Sequence, residues 1–185
     1  MDEIGDESRR RILDAAEILF GQKGFARTSF VDIAQLSGIS RGSIPWHFEN
    51  KDGLLIAVVE RAIDEFIPAG SIKSAGPEGV RELFQRVKEW MHTPAAAMLY
   101  MLLTEAVSKD GPVHDHYLQF FANRRKAAVH VLVSAGAEKG DEIYQIASVV
   151  NGAIFGLGLQ RQLDPNFDLA AAMDGLEKLI ERQLN

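Results

Sequence analysis

Apolar residues recur every three to four positions over most of the chain, and this periodicity predicts an all-α protein. In "RRRILDAAEILFGQKGF", for example, Ile12, Ala15, Ala16, Leu19 and Phe20 would share one face of a helix. No segment shows the sustained alternation that is typical of a half-buried strand. The whole chain is therefore expected to consist of helices joined by short connections.

Capping residues divide the first third of the sequence into four predicted helices. Glycine just beyond a periodic segment predicts its end, and serine or threonine just before one predicts its start. The residues that carry these signals are Gly24 and Gly38 as helix ends, Thr28 or Ser29 and then Ser40 as N-caps, and Asn50 or Lys51 at the start of the fourth helix.

The rest of the chain begins with a loop and continues as five predicted helices. Residues 68–79 are rich in glycine, proline and serine, which is typical of a connection between helices. The helices beyond it are expected at roughly 78–92, 94–109, 113–138, 141–163 and 167–184, separated by further glycine and proline residues.

Composition narrows the possible classes of function. The 185 residues are 46% hydrophobic and contain no cysteine, which excludes disulfides and thiolate metal sites. A net charge of −6 argues against nucleic-acid binding over the whole surface. Residues 8–52 nevertheless hold seven Lys and Arg against five Asp and Glu, so this segment has the charge expected of a small DNA-binding region. The acidic N-terminus and the short apolar stretches favour a soluble, cytoplasmic protein without a membrane span.

Small and apolar residues between Ser29 and Phe48 have the spacing of a helix-turn-helix, although an unrelated pair of short helices has a similar pattern. The order of residues is more specific. "RRILDAAEILFGQKGFARTSFVDIAQLSGISRGSIPWHFENKDGLLIAV" closely resembles the DNA-binding domain of tetracycline-repressor (TetR) family regulators. This resemblance implies an N-terminal three-helix DNA-binding domain, predicted at 1–52, and a C-terminal helical bundle for ligand binding and dimerisation at 53–185.

The resemblance also implies a set of DNA-binding residues. Thr28 matches a position that caps the second helix and touches a phosphate, and Lys51 matches a phosphate contact at the start of the fourth. Helix N-termini suit phosphates, and arginine is the commonest reader of guanine in the major groove. The remaining matched positions are Ser40, Arg41, Gly42 and Ser43 at the start of the recognition helix, and Trp46 and His47 at its groove-facing end.

Pro45 departs from the family pattern, which usually has a tyrosine at this position. Proline lacks an N–H and crowds the carbonyl four residues before it, here that of Arg41. With Ser40 as the cap, Pro45 is expected just past the first turn of one continuous helix. We therefore predict that Pro45 changes the DNA contacts without abolishing the motif.

The C-terminal half resembles the same family less specifically. "SVVNGAIFGLGLQRQLDPNFDLAAAMDGLEKLI" is similar to the last two helices, which usually form a dimer interface. Their predicted interface residues are Ile143, Ile146, Ala147, Val150, Gly152, Ile154, Gly156, Leu157, Gly158, Leu159, Ala170, Ala171, Ala172, Met173, Leu176, Leu179 and Ile180. In a homodimer, the two DNA-binding domains would bind the two half-sites of a palindromic operator.

Members of the family commonly bind a small molecule inside their C-terminal helices. The resemblance therefore implies a homodimeric repressor that binds double-stranded DNA and is released from it by a small-molecule effector. Methionine and aromatic residues suit a lipophilic effector, although each is also a plausible core residue. The candidate ligand-binding residues are Trp90, Met98, Met101, Glu105, Tyr117, Phe120, Phe121, Arg124, Asn151 and Phe155. No catalytic residue, cofactor or metal site is predicted.

Two other classes remain open at this point. One is an all-helical dimeric interaction protein whose DNA-binding head is weakened by Pro45. The other is a helical enzyme, which the sequence supports less because it has no recognisable nucleophile motif. The histidines of "HDH" (His114 and His116) lie two residues apart on a predicted helix and so point in different directions.

Overall fold

The computed structural model describes residues 2–66, 72–108 and 112–184, and all regular structure within them is helical. The all-α prediction is therefore confirmed. In chain order the helices are α1 (Asp2–Lys23), α2 (Phe30–Ser37), a 3₁₀ turn (Arg41–Ser43), α3 (Ile44–Phe48), α4 (Lys51–Phe66), α5 (Gly76–Trp90), α6 (Pro94–Ser108), α7 (Pro112–Ser134), α8 (Asp141–Leu163) and α9 (Leu169–Leu184).

The contacts between residues divide the chain into two compact units. The first comprises Met1–Glu65 and Thr93–Tyr117, and the second comprises Phe66–His92 and Leu118–Asn185. These compact units differ in extent from the predicted DNA-binding and ligand-binding domains, 1–52 and 53–185, and that functional division stays a prediction. The difference arises because α4 is one continuous helix from Lys51 to Phe66, and because α6 packs on α1.

The first unit is built around α1, which packs against α2 and α6. Ile12, Ala16 and Phe20 on α1 are fully buried, as their helical spacing predicts. Gly21 allows the close approach of α6, since a Cβ at this position would lie 3.2 Å from the backbone nitrogen of Met98. The motif near the N-terminus thus stands on a helix that is anchored along its length.

In the second unit, α9 packs against α5 and α8. Phe84 and Val87 of α5 are buried, as are Ala147 of α8 and Met173 of α9. Two ion pairs add to the contact between α5 and α9: Lys88 with Asp174 at 2.9 Å, and Arg81 with Glu181 at 3.0 Å. Such exposed pairs contribute little to stability, so the buried apolar side chains hold this unit together.

The end of helix α7 differs from the prediction. Helix α7 ends at Ser134 rather than near residue 138, because Gly136 with φ +106° breaks the helix before Gly140 does.

Among the described residues, α8 is long and apolar enough to pass a membrane-span test by length and composition. The core helix of a soluble protein passes the same test, and one third of that window is buried.

Candidate nucleic-acid interface

Ser29 caps the N-terminus of α2, which decides between the two candidates at this position. Its Oγ accepts a hydrogen bond from the Asp32 backbone N–H at 3.2 Å, and the Asp32 carboxylate accepts one from the Ser29 N–H at 2.7 Å. The Ser29 hydroxyl also donates to the Asp32 carboxylate at 2.6 Å. This bond, an ion pair to Lys23 at 2.9 Å and the bond from the Ser29 backbone N–H hold the pKa of Asp32 well below its ordinary value. The reciprocal capping box fixes where α2 begins.

Thr28 lies beside this cap but does not form it. Its side chain is buried, and its hydroxyl donates a hydrogen bond to the carbonyl oxygen of Gly24 at 2.9 Å. The prediction that Thr28 caps α2 is therefore wrong, because the hydroxyl already satisfies the end of α1. Its phosphate contact stays a prediction, and it would require either the backbone or a rearranged hydroxyl.

Gly38 makes the turn between the two helices of the motif. Its φ of +68° lies in the left-handed region, and its N–H donates to the carbonyl oxygen of Ala34 at 2.9 Å. The Arg11 guanidinium donates to the neighbouring Ser37 carbonyl at 2.5 Å. Since a Cβ on Gly38 would lie 2.6 Å from that guanidinium nitrogen, glycine allows both the turn and the contact.

We expect Gly38→Ala to lower the free energy of unfolding by about 1–2 kcal/mol, the cost of a left-handed residue with a Cβ. Displacement of the Arg11 side chain would add to this loss. Urea unfolding followed by circular dichroism measures the change. Gly42→Ala is the matched control because no atom lies within 4 Å of a Cβ built there and its backbone lies outside the left-handed region. Equal stability of the two variants would contradict the role of Gly38.

The recognition segment is two short elements rather than one continuous helix. Residues Arg41–Ser43 form a 3₁₀ turn, and the α-helix begins only at Ile44. Pro45 therefore stands in the first turn of α3, where backbone N–H groups have no helical partner to lose. The prediction of one helix with Pro45 past its first turn is wrong. In its observed position Pro45 costs the helix less free energy than the predicted position would, because no helical hydrogen bond is lost.

Ser40 and Ser43 hold the start of this segment. The Ser43 backbone N–H donates to the Ser40 carbonyl oxygen at 3.0 Å, and the two hydroxyl oxygens lie 2.7 Å apart. The Ser40 side chain makes no capping bond to the backbone, so its capping role is limited to its carbonyl. Ile44 and Phe48 are buried and anchor α3 in the first unit.

The opposite side of the segment is open to solvent. Arg41 and Gly42 are exposed, and within the part of the chain that the structure describes no ion pair or hydrogen bond is found for the Arg41 side chain. Trp46 is 79% exposed, and its ring meets that of His47 edge-on at 4.7 Å between centroids. An unpaired guanidinium and a bare aromatic ring on one short segment are suited to a partner surface.

Lys51, at the start of α4, is already engaged within the first unit. Its ammonium donates to the carbonyl oxygen of Phe25 at 2.7 Å and lies 4.2 Å from the centroid of the Phe25 ring. A lysine has three N–H donors, so this bond leaves capacity for a phosphate oxygen. The predicted phosphate contact of Lys51 stays a prediction.

Two arginines near the N-terminus support the motif in a way that sequence patterns did not reveal. Arg11 bonds the end of α2, as described above, and the Arg9 guanidinium lies 5.2 Å from the centroid of the Phe48 ring. Both belong to α1. Only the spatial approach of α1 to the motif distinguishes them from other exposed arginines.

Six of the ten predicted ligand-binding residues lie in the second unit, where aromatic rings form a continuous chain. Phe66 contacts Trp90 at 4.4 Å and Phe120 at 5.7 Å between centroids, and the chain continues through Phe121 to Phe155. The Arg124 guanidinium lies 3.8 Å from the Phe66 centroid and donates to Asn151 Oδ1 at 3.1 Å. Phe66 was not among the predicted residues, since its place at the end of α4 gave no local signal.

The other four predicted ligand residues are not part of this cluster. In the first unit, Met98 is fully buried, Met101 is partly exposed, and the Tyr117 hydroxyl donates to the Leu99 carbonyl. The side chain of Glu105 lies outside the described residues. A groove of about 640 Å³ in the second unit, lined by Leu132, Val149 and Leu179 among others, contains none of the ten. Ligand binding by these residues stays a prediction.

Comparison with known proteins identifies the motif. The family described as "Bacterial regulatory proteins, tetR family" matches residues 12–58, the stretch that contains the capping box, the turn at Gly38 and the recognition segment. This stretch of the chain carries the TetR-family motif. The resemblance found in the sequence is thereby confirmed.

Two HTH-type transcriptional regulators are similar to this chain over different lengths. The HTH-type transcriptional regulator TtgR of Pseudomonas putida is 47% identical over 58 residues, which cover 31% of this chain and 28% of that protein. The chain thus aligns with little more than a quarter of TtgR. The regulator SrpR of the same species is 25% identical over 162 residues, covering 82% of this chain and 74% of that protein.

Solved structures of transcriptional regulators share the fold of almost the whole chain. A putative TetR-family regulator from a Rhodococcus species matches with a TM-score of 0.78 at 19% identity, covering 97% of this chain and all of that one. A putative regulator from Saccharomonospora viridis, solved with choline, gives 0.77 at 22% identity over 95% of this chain and 96% of that one. NalD of Pseudomonas aeruginosa gives 0.69 at 21% identity over 96% of each chain.

Proposed function

We propose that this protein is a cytoplasmic transcriptional repressor that binds a palindromic operator as a homodimer and is released by a small lipophilic effector. It would not be an enzyme. The observation that carries the proposal is the exposed Arg41 on a recognition segment that directly follows the capped helix α2 and its turn at Gly38. The name of SrpR and the family of residues 12–58 support DNA-dependent regulation. NalD is described as a repressor of a multidrug efflux pump, which supports repression.

The position of Pro45 supports a functional DNA-binding domain rather than one that this proline has weakened. A proline in the first turn removes no helical hydrogen bond and has a backbone angle that suits a helix start. The buried side chains of Ile44 and Phe48 hold α3 in place on either side of it. The alternative of an interaction protein with a disabled head therefore loses its main argument.

The exposed face of α8 supports homodimerisation. Val149, Gly152, Gly156, Leu159 and Leu163 follow each other at steps of three and four residues, so they form one stripe along the helix. Val149 is 70% exposed and Leu163 is 78% exposed. No atom lies within 4 Å of a Cβ built on either Gly152 or Gly156, which leaves room for a second helix to approach closely.

The residues expected at the dimer interface are therefore partly wrong. Seven of them are buried inside the protomer and pack its own core: Ile143, Ala147, Val150, Ile154, Gly158, Met173 and Ile180. Leu159 and Leu179 are exposed and remain candidates, and Val149 and Leu163 join them. On α9, Gly175 and Leu179 would extend the same face, with open space around Gly175.

The proposed effector would bind among the aromatic residues of the second unit. The chain of rings from Trp90 to Phe155 offers apolar surface, and Arg124 with Asn151 offers polar groups to orient a ligand. The choline bound in the Saccharomonospora viridis regulator supports small-molecule binding by proteins of this fold. Release from DNA requires that the effector bind the non-operator conformation more tightly.

The first test is selection of randomised duplex DNA by the purified protein, followed by anisotropy titrations at several salt concentrations. We expect an inverted repeat and an affinity that falls steeply with salt, since phosphate contacts release counterions. Arg41→Ala should weaken the selected duplex by about tenfold to a hundredfold, the value of a bidentate base contact. Arg125→Ala, an exposed arginine on α7, is the matched control.

Two results would contradict the proposal. One is the absence of any enriched sequence together with a binding affinity that does not depend on salt. The other is an equal affinity of the Arg41 and Arg125 variants for the selected duplex. Circular dichroism of each variant should match the unsubstituted protein, because both side chains are exposed and neither packs in the core.

A further inference from the structure

Trp46 is an unusual surface residue within the recognition segment. Tryptophan is on average highly buried in folded proteins, yet this side chain is 79% exposed. Its two neighbours at positions 44 and 48 are buried at 0% and 5% exposure, so α3 points them inwards and Trp46 outwards. The exposed indole therefore adds almost nothing to the core of the protein.

Resting on the proposed function, we propose that Trp46 reads thymine, by packing its indole ring against the 5-methyl group at the major-groove edge. The thymine methyl is the one apolar group that a base pair presents in the major groove. An indole has a single N–H donor and a large apolar face. Packing that face on a charged phosphate would desolvate the phosphate without pairing it, whereas packing it on a methyl group removes apolar surface from water.

The local structure holds Trp46 ready for such a contact. Pro45 fixes the backbone angle immediately before it, and the edge-on contact with the His47 ring at 4.7 Å limits the indole orientation. Ile44 and Phe48 anchor the short helix from the inside. A side chain with few accessible conformations loses little entropy on binding, so it can discriminate a single methyl group.

The experiment replaces thymine by deoxyuridine, one position at a time, in the duplex that the protein selects. Deoxyuridine keeps the base pairing and removes only the methyl group. For the unsubstituted protein we expect one position in each half-site at which this change weakens binding about fourfold, the value of one buried methyl group. For Trp46→Ala we expect weaker binding overall and no further loss from deoxyuridine at that position.

Val107→Ala is the matched control, because Val107 is an exposed apolar residue (75%) on α6. It should retain the full deoxyuridine effect. Two results would overturn the inference. One is that deoxyuridine weakens binding of the unsubstituted protein at no thymine position. The other is that deoxyuridine at the sensitive position weakens binding of Trp46→Ala as much as it weakens binding of the unsubstituted protein.

Fluorescence gives a second, independent readout. The protein has two tryptophans, and Trp90 is only 8% exposed, so iodide in solution should quench mainly Trp46. We expect the selected duplex to protect Trp46 from iodide. Protection without any deoxyuridine effect would place Trp46 on the sugar–phosphate backbone and overturn base reading. Sequence-selective, salt-dependent binding would survive that result, so the proposed function and this inference fail separately.

Discussion

Val149→Asp is expected to convert the proposed dimer into a monomer and to weaken binding of the palindromic duplex by at least about a hundredfold. A monomer presents one head, and the second half-site then no longer adds to affinity. Val149 is 70% exposed within the stripe of α8, so the substitution leaves the core of the protomer intact. In a symmetric interface each copy would place its new carboxylate in apolar contact, unpaired and poorly hydrated.

Analytical ultracentrifugation at micromolar protein measures the change in mass, and anisotropy measures the change in affinity. Val107→Asp is the control, since Val107 is 75% exposed on a helix of the first unit and outside the stripe. A Val149→Asp protein that remains dimeric would refute the proposed face. An unsubstituted protein that sediments as a monomer and still binds the palindrome tightly would refute dimerisation itself.

The local signals in the sequence were sufficient to place most helices. Glycines with left-handed backbone angles end α1 and α2 at the expected positions, Gly24 and Gly38. Where two signals competed, the sequence did not rank them. Ser29 and Thr28 both suit an N-cap, and the capping box that Ser29 forms with Asp32 decides between them.

The faces of the apolar helices could not be assigned from periodicity. Helix α8 is apolar almost all round, so its pattern does not tell a surface that packs inside the protomer from one that is left exposed. Ile143 and Val150 pack inside, whereas Val149 is exposed. That distinction depends on where α9 lies against α8, which is a long-range property of the chain.

Within the candidate site, chemistry was easier to predict than geometry. Arg41 and Trp46 are exposed, in keeping with the contact roles that the resemblance implies for them. The change from a 3₁₀ turn to an α-helix at Ile44 was missed, because Ser40 was taken to start one continuous α-helix. Contacts between distant residues, such as Arg11 with Ser37, have no signature in the local sequence.

Arg61 links α4 to α1 through a part-buried ionic cluster. Its guanidinium donates to Asp14 Oδ1 at 2.6 Å and to Glu17 Oε2 at 2.8 Å. The side chains of Arg61 and Glu17 are 20% and 11% exposed. Burial raises the pKa of Glu17, and the bond to Arg61 opposes this rise.

We expect Arg61→Met to lower the free energy of unfolding by about 3 kcal/mol at neutral pH, because it leaves a buried carboxylate without its partner. The loss should be smaller at pH 5. Without Arg61 the pKa of Glu17 rises further in the folded protein, so the folded state holds a proton that the unfolded state releases. Stability then falls as the pH rises from the ordinary pKa of 4.5 through the raised one.

Urea unfolding of the variant at pH 5 and pH 8 tests this expectation, and the double variant Arg61→Met with Glu17→Gln separates charge from packing. The amide cannot ionise, so the double variant should recover stability at pH 8 and lose the pH dependence that comes from Glu17. An equal loss at both pH values would instead mean that Arg61 acts through the packing of its alkyl chain. The same reasoning concerns function, because α4 begins at Lys51 beside the recognition segment and is tied to α1 by this cluster.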